Sequence, residues 1–440
     1  MRIIKDIFKF KLNMNYINCI NKYTIILFSI LLMLPNLLYE IFHISFYTGL
    51  FDIINLIFIF PLFYIFVNNL IKNKVKGIDT LLFSILLIIT LISSIHSFNP
   101  FIAILGSFRK DGFITLLLYF LVYVNSKTLD KKSVKDIINI VLIIGFINFI
   151  YAFIQSYLPI NILSSKSFKH MGYGLMGNPN FYGTFMLMIS ILSLGLYLYK
   201  NKRIYFISFI TSYIGLILSS SSGPFISFII SMIILFISFK NKYSIFTYIK
   251  HILTVVLLYV LVTTTVIFIN RDVYLIDISD SYTISGNIKQ FKDGIFQNKL
   301  FENLDMISSG RLTLWKKTIK YIDNNNLLLL GCGPDNFNMY SVIEKEGKIV
   351  GFYHDDKAHN IYLNMVVETG IFSLIIFLIW IFIYHKKIIK SKNIFLYILL
   401  FALIGYNIQG IFNINVIYVM VYYYIFVGIG LGDLNETRIN

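Results

Sequence analysis

The 440 residues of this chain are 57% hydrophobic and 14% charged, with a mean hydropathy of +0.75. This composition excludes a soluble fold of this length and indicates a polytopic membrane protein. The net charge of +16 is explained by basic residues on the cytoplasmic side of the membrane, which are attracted to anionic lipid. We therefore expect no nucleic-acid partner. The chain has two cysteines, too few for a thiolate metal site.

Twelve apolar runs are long enough to cross a bilayer, which takes roughly 20 helical residues. The predicted spans are 23–42, 50–71, 80–97, 109–125, 136–155, 179–199, 203–221, 223–239, 251–270, 360–385, 393–409 and 412–432. The sequence therefore predicts an all-α polytopic membrane protein of about 12 transmembrane helices. Its parts are a membrane domain at 1–270 with nine spans, a large loop at 271–358, and a membrane domain at 359–440 with three spans and a tail.

The distribution of basic residues predicts the orientation of these spans. With the N-terminus in the cytoplasm, 23 Lys and Arg residues lie in cytoplasmic tails and loops and four lie in short outer loops. The positive-inside rule then places both termini in the cytoplasm and the 88-residue loop outside. That loop is nearly neutral, with 11 basic and 12 acidic residues. Cys19 and Cys332 fall on opposite faces, so no disulfide is expected between them.

The large loop changes character along its length. Residues 272–303 are polar and irregular, whereas 311–322 has helical spacing, with Ser308 or Ser309 as the expected N-cap. The expected apolar face of this helix consists of Leu312, Trp315, Ile319 and Ile322. Three asparagines at 324–326 are expected to end the helix, and 331–337 reads as a tight turn.

Four polar clusters interrupt the apolar pattern, and all four map to the outer side in this topology. They are 106–112, 177–180, 219–224 and the large loop with the residues up to 359. Polar breaks at membrane depth are tolerated only inside protein or beside a wet cavity. We therefore expect Asn178, Asn180 and Ser222 to line one shared cavity.

Two arginines on that side are candidates for binding an anion. Arg311 begins the predicted loop helix, and a guanidinium can hold two phosphate oxygens at once. The alternative for Arg311 is an ordinary loop arginine paired with Asp305 or Asp323. Arg109 lies where a span meets the outer interface, and its alternative is simple snorkelling.

His359 is the candidate general base. An imidazole with a pKa near 6.5 is mostly neutral at pH 7 and can accept a proton, with Asn360 or Asp356 to orient it, although many interfacial histidines are only polar. Glu368, placed inside span ten, needs a partner, which we expect to be Asn407 or Gln409. A metal site formed by 354–356 with His359 fits no standard zinc spacing, so no metal is predicted.

Six stretches, in this order, resemble the O-antigen ligase and polymerase superfamily of bacterial envelope glycosyltransferases. They are GSFRKDGFITLLLYF (106–120), GNPNFYGTFM (177–186), SSSSGPFISFI (219–229), SGRLTLWKKTI with LLLLGCGPDNF (309–337), AHNIYLNMVVETGIFSL (358–374) and YNIQGIFNINV (406–416). One departure is that the serine run corresponds to a family segment that usually reads Ser-Arg-Gly, and Ser222 stands where that arginine would be.

The resemblance implies a GT-C-like fold and an inverting, metal-independent glycan transfer that needs no cofactor. It implies an undecaprenyl-diphosphate-linked glycan as donor and a lipid, glycan or protein hydroxyl as acceptor, at the outer face of the bacterial cytoplasmic membrane. His359 and Arg311 correspond to the family's catalytic base and diphosphate-binding arginine. The other predicted substrate-binding residues are Arg109, Asn178, Asn180, Ser222, Trp315, Asn360 and Glu368.

The sequence therefore favours an O-antigen ligase-like glycosyltransferase in contact with membrane lipids. A polysaccharide polymerase of the same superfamily is the nearest alternative, because a motif indicates a chemistry and not a substrate. A 12-span transporter or flippase and a non-catalytic envelope scaffold are the rivals from other classes. Charges along a central path would favour a transporter, but Lys and Arg are absent from span interiors here.

Overall fold

The structure is a computed structural model that describes residues 14–42, 47–107, 109–157, 171–239, 257, 261, 310–345 and 348–432. Predicted span 251–270 lies outside these residues except at the helical positions 257 and 261. The expected N-caps Ser308 and Ser309 and the first part of the large loop also lie outside them.

Helices make up most of the described chain. The first half contains α1 (Met14–Leu31), α2 (Leu34–Phe42), α3 (Tyr47–Ile71), α4 (Ile78–Ile95), α5 (Pro100–Leu105), α6 (Phe113–Ser126), α7 (Lys131–Tyr157), a 3-10 turn (Gly174–Met176), α8 (Pro179–Lys200), α9 (Arg203–Leu218) and α10 (Ser222–Phe239). The second half contains α11 (Arg311–Asn324), β1 (Met339–Lys345), β2 (Lys348–Asp355), α12 (Ile361–Thr369), α13 (Ile371–Lys390), α14 (Ile394–Gln409) and α15 (Ile417–Leu431).

Among the described residues, six helical segments are long and apolar enough to cross a membrane, and five further apolar helices are shorter. This confirms a multi-pass, all-helical membrane part. The predicted start of span ten, which was placed at 360–385, is wrong. The helix breaks at Gly370, where φ is +85°, into the short α12 and the long α13. His359 and Glu368 therefore lie ahead of the spanning helix.

The centre of the bundle is formed by helices that are apolar on every side, as expected for helices surrounded by protein. All residues of α15 are buried, and α8 is buried over most of its length. Helix α8 packs against α9, α10 and α14, and α15 packs against α6. Small residues allow close contact: a Cβ on Gly195 would lie 2.6 Å from Cγ2 of Ile398, and one on Gly428 would lie 2.4 Å from the Tyr123 carbonyl oxygen.

Large apolar side chains cover much of the bundle's exterior. Phe60 is 74% exposed, Phe101 71% and Ile237 64%, and many more aliphatic residues of α3, α4, α7 and α13 are similarly exposed. Such a surface would aggregate in water but is suited to lipid. The exterior therefore supports the membrane location that composition predicts.

The described part of the large loop packs on α12. Helix α11 ends at Asn324, as predicted, but Gly310 is its N-cap and its buried face differs from the prediction. Thr318 and Ile322 are buried, whereas Ile319 is 57% exposed. Strands β1 and β2 form an antiparallel hairpin, with Met339 opposite Asp355, which the sequence did not predict.

Backbone hydrogen bonds join the turn at 331–337 to the break between α12 and α13. The N–H of Ile371 donates to the Leu328 carbonyl (2.8 Å), that of Cys332 to Val367 (2.9 Å), and that of Gly333 to Glu368 (2.8 Å). The two segments are so close that a Cβ on Gly331 would lie 2.2 Å from the Glu368 carbonyl carbon. Gly331 also has a φ of +70°, which disfavours other residues.

Gly331→Ala tests this contact. We expect a loss of at least about 1–3 kcal/mol of stability from the backbone conformation alone, seen as a lower melting temperature in detergent. The control is Gly49→Ala, because a Cβ there meets nothing within 4 Å. Equal melting temperatures for the two variants would contradict the described packing of the turn.

Candidate functional site

The polar residues that the sequence singled out meet at one end of the bundle, which we call the His359 end. It is formed by the end of α4, the starts of α8, α10 and α13, and the end of α14, together with α12 and the turn at 331–337. The opposite end contains Asp79 at the start of α4 and Lys387 near the end of α13, and we call it the Asp79 end.

The segment before His359 is anchored by a buried lysine. The side chain of Lys357 is 0% exposed, and its Nζ lies 2.7 Å from Glu368 Oε1, 3.1 Å from Asp335 Oδ1 and 3.1 Å from Asp111 Oδ2. These carboxylates belong to α12, to the turn at 331–337 and to the loop between α5 and α6. One ammonium group therefore joins three separate parts of the chain.

Asp335 adds further bonds to this cluster. Its Oδ2 accepts hydrogen bonds from the backbone N–H (2.7 Å) and hydroxyl (3.0 Å) of Ser107. Its own N–H donates to Glu368 Oε1 at 3.2 Å. The hydroxyl of Ser93, near the end of α4, donates to the Glu368 carbonyl at 2.9 Å. The loop, the turn, α4 and α12 thus form one hydrogen-bonded unit.

The charges of the cluster are unequal, because three carboxyl groups share one ammonium. Burial raises the pKa of Glu368 to about 8, and Lys357 only partly offsets this. Burial also raises the pKa of Asp111. The pKa of Asp335 is lowered, because Lys357 and Ser107 together outweigh its burial. The three carboxyl groups pull the pKa of Lys357 well above its usual value against the effect of burial. Burial therefore favours the protonated form of Glu368, while Lys357 stays charged.

Arg109 lies beside this cluster and donates two hydrogen bonds to the carboxylate of Asp356. Its Nε is 2.6 Å from Oδ2 of Asp356, and its Nη2 is 3.1 Å from Oδ1. This pair opposes the effect of burial, so the pKa of Asp356 is lowered and that of Arg109 is raised. Arg109 therefore does not simply extend its side chain toward the membrane surface. Its guanidinium fixes the position of Asp356, in the segment that leads to His359.

His359 is partly buried and has a φ of +48°, a strained conformation for a residue with a side chain. Burial, then Arg311, then Arg109 lower the pKa of its imidazole to about 4, while Asp356 acts in the opposite direction. The ring is therefore neutral at physiological pH. Both candidate arginines act on it, so the structure brings Arg109, Arg311 and His359 together.

The other predicted residues of the loop have mixed roles. Asn360 is the N-cap of α12: its Oδ1 accepts from the N–H groups of Tyr362 (3.0 Å) and Leu363 (3.1 Å), so it holds the helix start. Trp315 lies one turn beyond Arg311 on α11, and its indole N–H is buried without a hydrogen-bond partner among the described residues. Arg311 is the first residue of α11 and is partly exposed.

The partner expected for Glu368 was wrong. Glu368 pairs with Lys357, whereas Asn407 donates to Tyr384 (2.7 Å) and accepts from Tyr423 (3.0 Å). Gln409 donates to Thr184 at 3.2 Å.

Two of the four side chains considered for a metal site are engaged elsewhere, because His354 bonds to Asn338 and Asp356 to Arg109. Within the described chain, the His, Cys, Asp and Glu side chains do not form a metal-binding group.

A second polar cluster joins the starts of α8 and α10, and the shared cavity expected for Asn178, Asn180 and Ser222 stays a prediction. Asn178 caps α8 by accepting from the N–H of Asn180 at 2.8 Å. The side-chain oxygen of Asn180 accepts a hydrogen bond from Ser221, and Ser222, next along the chain, is partly exposed. The amide of Asn413 donates to Thr184 at 3.1 Å, which ties the residues after α14 to the same cluster.

The turn after α14 connects the two clusters. Gln409 belongs to the second cluster, and the next residue, Gly410, accepts from the N–H of Ile361 at 2.8 Å. The hydroxyl of Tyr362 donates to the Asn407 carbonyl at 2.7 Å. The residue after Asn360 therefore contacts the turn that leads to Asn413, whose amide also donates to the Asn180 carbonyl.

These features describe a membrane protein in which two arginines and a neutral imidazole lie at one end of a helix bundle. The family model of the O-antigen ligases matches residues 206–378. The matched region includes Ser222, Arg311, Trp315, His359, Asn360 and Glu368. The resemblance to the O-antigen ligase superfamily is thereby confirmed, and it implies a ligase-like or polymerase-like enzyme of the bacterial inner membrane. No curated protein matches the chain.

Proposed function

We propose that this protein transfers a glycan from an undecaprenyl-diphosphate carrier to an acceptor hydroxyl at the outer face of the cytoplasmic membrane. The observation that carries the proposal is the convergence of two arginines on one neutral imidazole. Arg311 and Arg109 both lower the pKa of His359, which keeps the ring able to accept a proton. The family match covers Arg311 and His359 and supports the same reading.

The proposed step is a single displacement. His359 takes the proton of the acceptor hydroxyl, the hydroxyl oxygen bonds to the anomeric carbon, and the bond from that carbon to the diphosphate oxygen breaks. The electron pair leaves on undecaprenyl diphosphate, whose charge Arg311 and Arg109 stabilise. Attack from the side opposite the diphosphate inverts the anomeric centre, and no metal is needed.

The remaining predicted contacts divide into two groups. Ser222 and Trp315 are partly exposed, and together with Asn180 we propose them as contacts of the glycan. Asn178 and Asn360 use their side-chain oxygens to cap helices, and Glu368 is engaged by Lys357. We propose that these three shape the site and do not touch the substrate.

Ligase and polymerase share this chemistry and differ in the acceptor. A ligase transfers the glycan to a different molecule, and a polymerase extends another lipid-linked glycan. The roles proposed for Arg109, Arg311 and His359 are the same in both, so both remain within the proposal, with the ligase first because the matched family bears that description.

The proposal requires the His359 end to face outward, as the basic residues predict. In a Cys19→Ser background, Asn324→Cys on α11 should react with an impermeant thiol reagent in intact cells, once any outer wall has been made permeable. Lys132→Cys at the Asp79 end should not react. Both positions are exposed, and the remaining Cys332 is buried. Labelling of residue 132 alone would place the site in the cytoplasm and contradict the proposal.

Arg311 should be needed for its shape as well as its charge. We expect Arg311→Lys to lower transfer about 10-fold or more, because the planar fork is lost, and Arg311→Ala to lower it about 10²- to 10³-fold. Lys320→Ala removes an exposed charge from the same helix and is the control. If Arg311→Ala had wild-type activity at matched protein abundance, Arg311 would be an ordinary loop arginine and would not bind the diphosphate.

The pH dependence of transfer should reflect the lowered pKa of His359. Because the imidazole is neutral above about pH 4 in the free protein, kcat/KM should hold well below pH 6.5 and fall as the pH approaches 4. A bound diphosphate would offset the two arginines and raise the imidazole pKa, so kcat should begin to fall at a higher pH than kcat/KM.

His359→Gln should lower the rate of transfer about 10²- to 10⁴-fold. The fall of kcat/KM toward pH 4 should also disappear, because it comes from protonation of the imidazole. The control is His96→Gln, an exposed histidine at the same end. If His359→Gln transferred glycan at the wild-type rate with defined donor and acceptor, the base would be another group.

A further inference from the structure

The conformation of His359 requires support from its neighbours. A residue with a side chain at a φ of +48° costs on the order of 1–3 kcal/mol and persists only where the surrounding structure holds it. His359 is also the residue whose ring must face the acceptor in the proposed reaction. The groups that fix the chain on either side of it therefore control where the imidazole lies.

The chain after His359 is held by backbone and cap contacts. The N–H of Ile361 donates to the Gly410 carbonyl at 2.8 Å, and Asn360 caps α12. On the other side, the N–H of Ala358 donates to Oδ1 of Asn364 at 3.2 Å. These contacts attach the segment to α12 and to the turn after α14.

The chain before His359 is held by Lys357. Its Nζ lies within 3.1 Å of carboxylates on three segments, and its side chain is fully buried. Two residues of chain span at most about 7 Å, so fixing Lys357 restricts where His359 can go. Moving the segment would leave an ammonium and its carboxylates unpaired in the interior, which is strongly unfavourable.

We propose that Lys357, held by Asp111, Asp335 and Glu368, is the positioning residue that keeps the His359 imidazole in register with Arg109 and Arg311. The effect on transfer rests on the proposed function, whereas the position of the ring does not. Lys357 acts through His359 and does not touch the substrate. The buried cluster connects the loop at 106–112 and the turn at 331–337 to the reacting end of the protein.

The test measures the position of the ring directly, by the rate at which diethyl pyrocarbonate modifies His359, read by peptide mass spectrometry. His96, exposed at the same end, is the internal reference. The main variant is Lys357→Met with Asp111→Asn, which removes one charge of each sign and limits the unpaired charge. We expect modification of His359 to rise at least about 5-fold through local opening, with His96 unchanged.

Two single variants provide controls. Asp111→Asn keeps Lys357 paired with Asp335 and Glu368, so His359 should be modified more slowly than in the main variant. Lys22→Met removes an ion pair at the Asp79 end, where Lys22 lies 2.8 Å from Asp136, and should have no effect. Lys357→Arg retains the charge needed for folding but does not fit the same enclosed space, so it should raise His359 modification even if the main variant does not fold.

The outcomes separate this inference from the proposed function. In the main variant, we also expect kcat to fall about 10²-fold, with KM for the lipid-linked donor nearly unchanged, because the base is displaced while the arginines remain. If His359 modification is the same as in wild type in both the main variant and Lys357→Arg, the positioning role is wrong. If modification rises and transfer is unaffected, the positioning role stands and the role of His359 as base is contradicted.

Discussion

The described structure depends most on the burial of one ammonium group. An unpaired charge cannot be kept in the interior, so Lys357 must be surrounded by carboxylates. Those carboxylates come from the loop between α5 and α6, the turn at 331–337 and α12, which are far apart in the sequence. The requirement for charge balance thereby adds to the hydrogen bonds that join these segments.

The site geometry follows from this cluster. Arg109 lies on the same loop as Asp111, and it forms a salt bridge with Asp356, the residue before Lys357. Glu368 is on the helix that Asn360 caps, so His359 is held between two anchored parts of the chain. The cluster also accounts for the broken helix at Gly370, because the turn that contains Asp335 packs against that break through backbone hydrogen bonds. Binding site and local fold are therefore products of the same contacts.

Sequence reasoning succeeded where the signal was local. The apolar runs predicted the helical membrane part, and the spacing at 311–322 with the asparagines after it predicted α11 and its end. It failed where the cause was tertiary. A single glycine in an apolar run does not indicate a break, and the φ of Gly370 reflects its packing on Leu329, whose carbonyl would lie 2.0 Å from an added Cβ. Lys357 was missed because its three carboxylate partners lie on separate segments, of which the one with Asp111 is 246 residues away. A signal was available, since Asp111, Asp335 and Glu368 are acidic residues in three of the six stretches that resemble the family.

We propose that the His359 end transfers a glycan from a lipid diphosphate to an acceptor. The most direct measurement uses purified protein in liposomes with a defined undecaprenyl-diphosphate-linked glycan and a defined acceptor, and it follows both the acceptor-bound glycan and the released undecaprenyl diphosphate. We expect the two products to appear in equal amounts, without added nucleotide and in the presence of a metal chelator. Movement of the intact donor across the bilayer with no release of undecaprenyl diphosphate would contradict this proposal and favour a transporter.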